Sequence, residues 1–347
     1  MSQDGKFLDM ELRTSPHLAR GMAVPTIMRH VVFALAPVAL YAVYLFGVSV
    51  LLLLAVTTLS ALLTERLAAR LAGTGSTLGD FSAAITGLLL GLTLPPGFPL
   101  WMAALGGAVS IALGKSIFGG LGFNVFNPAL VGRAFLQAAF PVAITTWSAP
   151  LLPGRFMEVL PSSLAVPLLK APVNAADALT GATPLAAMKF EGKAAPMLDL
   201  LSGTVAGSAG ETGALLILLC GAYLALRRML DWRIPVGMLG AVAVFSGVLH
   251  LANPALPSPA FMLLSGGLML GAVFMATDMV TSPVTPLGTW IFAITVGLLT
   301  VVIRVWGGLP EGVMYAILLG NAAVPLLNQL TQPRVYGTGK AGGGHGR

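Results

Sequence analysis

Apolar runs of about 20 residues, each long enough for a helix to cross a hydrocarbon layer about 30 Å thick, recur from Val31 to Leu330. Short polar or basic turns separate them. In lipid only a helix or a closed barrel satisfies every backbone group, so the runs predict helices. About ten are expected, near residues 29–47, 49–68, 81–95, 99–118, 126–146, 211–229, 235–252, 259–277, 287–305 and 311–330, with edges good to about 2–4 residues. The third and eighth are interrupted. One carries Gly91-Leu92-Thr93-Leu94-Pro95-Pro96-Gly97, and the other ends Met279-Val280-Thr281-Ser282-Pro283-Val284-Thr285-Pro286. Such breaks are tolerated at membrane depth only where protein or a water-filled cavity covers the freed backbone groups.

The two broken segments belong to an internal similarity. Gly87-Leu88-Leu89-Leu90-Gly91 recurs as Gly267-Leu268-Met269-Leu270-Gly271, and Phe118-Gly119-Gly120-Leu121 as Trp306-Gly307-Gly308-Leu309. At the same offset as the second pair, Gly132-Arg133-Ala134 faces Gly320-Asn321-Ala322. Five segments per half is an odd number, so the halves must have opposite topology. The expected fold is an all-α polytopic membrane protein of two five-helix inverted repeats with broken helices, a transport architecture. The expected divisions are an N-terminal segment (1–28), a first membrane half (29–146), a long loop (147–210), a second membrane half (211–330) and a flexible tail (331–347).

Composition agrees. Of 347 residues, 56% are hydrophobic and 9% charged, against about 25% charged in a soluble domain. The net charge of +6 marks cytoplasmic loops rather than a nucleic-acid partner. With the N-terminus inside, Arg29, Arg66, Arg70, Lys115, Arg227, Arg228 and Arg233 face the cytoplasm, as do the basic residues of both ends, leaving Arg304 as the short-loop exception. Both termini are then cytoplasmic and the 147–210 loop is periplasmic, across a bacterial inner membrane. The first thirty residues show no signal peptide. A single Cys220 excludes an intrachain disulfide and a cysteine-held cluster within this chain. Electrons, if moved, need an organic carrier or a partner's cluster.

The long loop holds the one stretch that suggests such a carrier, Asp177-Ala178-Leu179-Thr180-Gly181-Ala182-Thr183. Thr183 is followed by Pro184, and a Thr N-cap with Pro at the first helical position is a helix-start signature. A helix N-terminus suits a phosphate, while Gly181 and Ala182 leave room for a bulky group. On helix physics alone an ordinary capped surface helix is the better reading. The heptapeptide, however, resembles the acceptor motif of bacterial flavin transferases: Asp, two variable residues, Ser or Thr, Gly, Ala, Thr. Every defined position matches. The chain as a whole is similar to the family that contains the RnfD component of the Rnf electron-transport complex and the NqrB component of the sodium-pumping NADH:quinone oxidoreductase. The likeness runs from Ser15-Pro16-His17 through Phe126-Asn127-Pro128-Ala129 and the heptapeptide to the last span. It implies FMN esterified to Thr183, with Asp177, Thr180, Gly181 and Ala182 forming the motif, and a flavin transferase to install it. A second, non-covalent flavin is a further expectation. The family also implies partners, namely other Rnf subunits that carry iron–sulfur clusters, flavin and the NAD site, and a role in ferredoxin:NAD electron transfer coupled to Na⁺ or H⁺ movement.

Charged residues inside spans are expensive and point to function. Asp278 closes the broken eighth segment, Asp80 opens the third and Arg133 lies in the fifth. Asp278 and Asp80 are candidates for an ion pathway, although a place at an interface or a pairing with a partner subunit is the reading favoured for each. Arg133 can satisfy helix-end carbonyls or hold a flavin phosphate. His17, His30, His250 and His345 show no metal-ligand spacing, and no dinucleotide-binding loop is present. The rival readings are a small-solute channel or secondary transporter, and a purely structural membrane subunit. Both leave the heptapeptide unused.

Overall fold

The computed structural model describes residues 23–333 apart from Thr74, Ser76, residues 167–180 and Thr212, and the statements that follow concern those residues. Asp177 and Thr180 lie outside them, as do most of the N-terminal segment and the tail. The described chain is helical, and six helical stretches are long and apolar enough to cross a membrane, which makes this a multi-pass membrane protein. They are α1 (Val24–Phe46), α2 (Val48–Leu71), α4 (Leu100–Gly114, extended by a 3₁₀ turn through Phe118), α10 (Arg233–Ala252), α13 (Pro286–Trp306) and α14 (Val313–Leu330).

The other expected segments are shorter or divided. The third is α3 (Ser82–Thr93) and the sixth α9 (Ala214–Leu226). The fifth separates into α5 (Pro128–Ala139) and α6 (Pro141–Ile144), because Pro141 lacks the N–H that would continue the ladder. The eighth is α11 (Pro259–Leu264), a turn at Gly266, α12 (Leu268–Leu270) and a π turn over Gly271–Met275. Gly266 has φ 67°, a left-handed conformation natural to glycine. In the long loop lie α7 (Pro184–Ala186) and α8 (Met197–Ser202).

One local device starts many of these helices. Asn127 accepts from Ala129 N at 3.0 Å ahead of Pro128. Ser258 accepts from Phe261 N at 3.3 Å ahead of Pro259, and Thr285 from Gly288 N at 3.1 Å ahead of Pro286. A capping oxygen followed by proline satisfies one orphan donor and removes another.

Helix packing follows two similar schemes. In the first, α2 packs on α3 and α4, and α4 on α5; in the second, α10 packs on α11 and α13, and α13 on α14. α1 meets α9 and α5 meets α14, joining the schemes. At the α5–α14 seam Asn127 Nδ2 donates to Met275 O at 3.2 Å, and Asn321 Nδ2 to Thr281 O at 2.9 Å. Glycine sets the closest approaches, as expected where lipid supplies no hydrophobic drive and backbones must touch. A Cβ on Gly87 would sit 2.5 Å from Thr58 Cα and 2.9 Å from Thr57 O. Gly87→Val is therefore expected to separate α2 from α3 and cost about 1–3 kcal/mol or more. A lowered thermal midpoint in fluorescence-detected gel filtration would show it, and an unchanged midpoint would contradict the packing described.

Candidate functional site

Thr183 sits where the long loop returns to the bundle. Gly181 N donates to Trp147 O at 3.0 Å, pinning the approach, and a side chain on Gly181 would press on Ala206 Cβ at 3.1 Å. Thr183 is extended (φ −65°, ψ 153°) and caps α7: its Oγ accepts from Ala186 N at 3.2 Å, while its carbonyl accepts from Ala187 N at 2.8 Å. The side chain is buried, with 3% of the residue exposed. That cap bond uses a lone pair of Oγ and leaves the hydroxyl proton free. An ester oxygen keeps such a lone pair, so esterification and capping are compatible. The helix behind the cap is short, since α7 runs into a π turn over Ala187–Glu191 that Gly192 ends at φ 69°. Few peptides align there, so the helix-dipole share of the expected phosphate seat is small.

The segment is anchored on both sides. Leu185 is buried with Leu200 and Phe261. Lys189 Nζ donates to Arg304 O at 2.9 Å and to Gly307 O, which are carbonyls at the C-terminal end of α13. Burial holds the Lys189 ammonium below its ordinary pKa.

Arg304 belongs to a second layer of the same region. Its guanidinium donates to Met262 O at 2.6 Å and Ser265 O at 2.9 Å, carbonyls at the end of α11. Arg133, on α5, does the same for α3: it donates to Thr93 O and pairs with Glu311. Each arginine thus satisfies the freed carbonyls of one broken segment. Arg133 satisfies a helix-end carbonyl, as one of its two sequence readings expects. Arg304, the exception to the charge pattern, is explained because its side chain is buried in the bundle, not free in a loop. Glu211 completes the cluster from the loop ahead of α9, and a cavity of about 400 Å³ lies between Glu211, Arg133, Arg304 and Glu311. Burial first, then the Glu311 carboxylate, hold Glu211 well above the usual carboxylate range, against the opposing pull of Arg133.

The other candidates lie elsewhere. Asp278 precedes α13, whereas Lys189 reaches the far end of that helix, about 30 Å away at 1.5 Å rise per residue. Asp278 accepts from Val280 N and Thr281 Oγ, both at 3.2 Å. Burial raises its pKa and those bonds oppose the rise. It faces a cavity of about 760 Å³ that Lys115, Ser82, Asn124 and Asn127 also line. Asp80 lies near that cavity, accepting from Ser82 N at 2.8 Å and standing 4.0 Å from Lys115 Nζ. Lys115, expected as a loop charge, is instead buried and paired with Glu65 at 2.5 Å. The structure therefore places Asp278 on that cavity and Asp80 beside two of its lining residues, Ser82 and Lys115, and keeps Asp278 apart from the Lys189 anchor of the Thr183 segment.

Glu65, Glu211 and Glu311 do not stand out in the sequence. The available signal is position: Glu211 and Glu311 are the first residues of two expected spans, where an acid stands beside apolar chain.

Residues 11–337 match the profile of the NQR2, RnfD, RnfE family. The chain is 40% identical over 341 residues to the D component of the proton-translocating ferredoxin:NAD(+) oxidoreductase complex of Clostridium ljungdahlii, covering 94% of this chain and 96% of that protein. It is 39% identical over 337 residues to the D component of the Na(+)-translocating ferredoxin:NAD(+) oxidoreductase complex of Acetobacterium woodii, covering 96% and 97%. The D component of the ion-translocating oxidoreductase complex of Stutzerimonas stutzeri is 42% identical over 338 residues, covering 92% and 94%.

Proposed function

The chain belongs to the NQR2, RnfD, RnfE family, and from that premise we propose that it passes electrons within an ion-translocating ferredoxin:NAD oxidoreductase through FMN esterified to Thr183. It is a subunit of an oxidoreductase complex and not catalytic alone; other Rnf subunits are its partners. The observation that carries the flavin reading is Thr183 itself. It closes a fully matched acceptor motif, and its Oγ uses only a lone pair in capping α7. The hydroxyl would hold the phosphate, the exposed Ala182 would leave room for it while Gly181 is packed against Ala206, and Lys189 would keep the segment seated on α13. When bound, the flavin supplies one- or two-electron chemistry, tuned by burial and hydrogen bonding.

On this reading the two packing schemes are inverted repeats of about ten membrane segments, as the paired arginine caps suggest. Both termini face the cytoplasm of a bacterial inner membrane, and the Thr183 loop faces the periplasm. The second, non-covalent flavin is assigned to the cavity that Lys115, Asn124 and Asp278 line. The buried Asn124 Oδ1 lacks a protein partner there and is free to accept from a ligand. Asp278 and Asp80 would mark the inner entrance of an ion path. Relatives named for H⁺ and for Na⁺ are about equally similar, so the resemblance does not choose the ion.

The full-length chain, produced together with its flavin transferase, should fluoresce as a flavin on a denaturing gel. A band at full yield with neither fluorescence nor added FMN mass would refute the proposal.

A further inference from the structure

We propose that Glu211 is a proton-binding site of the bundle, exchanging its proton with water past Glu311. It goes beyond the flavin reading and does not depend on it. Glu211 is 8% exposed, and its Oε1 has no hydrogen-bond partner among the described residues. That oxygen points toward Gly267, lying 3.7 Å from where a Cβ would stand on that residue. Gly267 lines the same cavity as Arg133, Arg304 and Glu311.

A buried carboxylate oxygen without a donor is costly when charged. A second carboxylate nearby raises that cost, because two like charges in low dielectric do not both ionise readily. The charged groups that act on Glu211 are Arg133 from α5, Arg304 from α13 and Glu311 from the loop before α14. Tyr315 of α14 adjoins Arg133 and Glu311, and Ser208 supports the ionised form by hydrogen bonds. Arg133 is committed to Glu311 and Thr93 O, and Arg304 to Met262 O and Ser265 O. Neither guanidinium donates to Oε1. With no donor on Oε1 and the Glu311 carboxylate on the same cavity, Glu211 holds its proton more tightly than an exposed carboxylate and gives it up as pH rises.

Glu311 supplies the way out. Its side chain is 23% exposed, and its Oε1 is also without a partner. A proton leaving Glu211 passes along the cavity to Glu311 and then to water, with no bond made other than O–H. A metal cation is a poor fit. It needs several oxygen ligands, and here two guanidinium groups hold the ground around the carboxylates; among the described residues no three or more His, Cys, Asp or Glu side chains are grouped as a metal site would need. Lys189 links the site to the Thr183 segment, because it donates to the carbonyl of the residue whose guanidinium faces Glu211.

Infrared spectroscopy of the purified complex tests this directly. A protonated carboxylic C=O band should persist above the usual carboxylate range and disappear as pH is raised further, and E211Q should lack that titration. In E311Q the midpoint should move to lower pH, since a neighbouring negative charge is gone; a purely structural Glu211 would show no such shift. The E311Q arm stands alone if E211Q fails to assemble. The proposal is overturned if the titrating band survives in E211Q, if E311Q leaves the midpoint unmoved, or if the midpoint falls as Na⁺ is added, which would mean a competing cation. Flavin fluorescence is read separately, so failure of either proposal leaves the other standing.

Discussion

Thr183→Val is expected to abolish covalent flavin completely while leaving the protein inserted. Valine matches threonine in volume and β-branching but lacks the oxygen that would form the ester. The cost to the fold is one N-cap, about 0.5–2 kcal/mol, borne by an α7 only three residues long. The burial of Leu185 with Leu200 and Phe261, and the Lys189 bonds to α13, do not pass through the hydroxyl. Thr183→Ser keeps the oxygen and should retain fluorescence. A fluorescent Thr183→Val band would place the flavin elsewhere.

The largest effect on stability is expected at Arg133. Arg133→Met leaves Glu311 without its ion-pair partner and Thr93 O without its donor. Breaking a buried pair by removing one member costs about 3–5 kcal/mol, because an uncompensated charge remains; the partial exposure of Glu311 favours the lower end. Adding Glu311→Gln to Arg133→Met removes the orphaned charge and should restore part of the loss, though not the bond to Thr93 O. Thermal midpoints of the two singles and the double variant give the comparison. Equal losses in Arg133→Met and in the double variant would show that the charge pair contributes little.

The sequence shows some of this because some of it is local. Thr183-Pro184 reads as a helix start from two adjacent residues, and the cap bond to Ala186 spans three. The end of the eighth segment is legible for the same reason, because the prolines from Pro283 act on their own backbone, whereas the turn at Gly266 shows only in the structure. The ion pairs are not. Arg133 and Glu311 are 178 residues apart, and Lys115 and Glu65 are 50 apart, so each pair exists only once the helices have packed. Lys115 reads as a loop charge for that reason, and Glu211 as an ordinary span edge. Asp177 and Thr180, the front of the acceptor motif, lie outside the described residues.

Peptide mapping by mass across residues 147–210, on full-length chain made with the flavin transferase, tests the central claim most directly. The peptide containing Thr183 is predicted to carry the added mass of FMN, with fragmentation placing it on that threonine. Complete coverage with Thr183 unmodified, or FMN found on another residue, would contradict it.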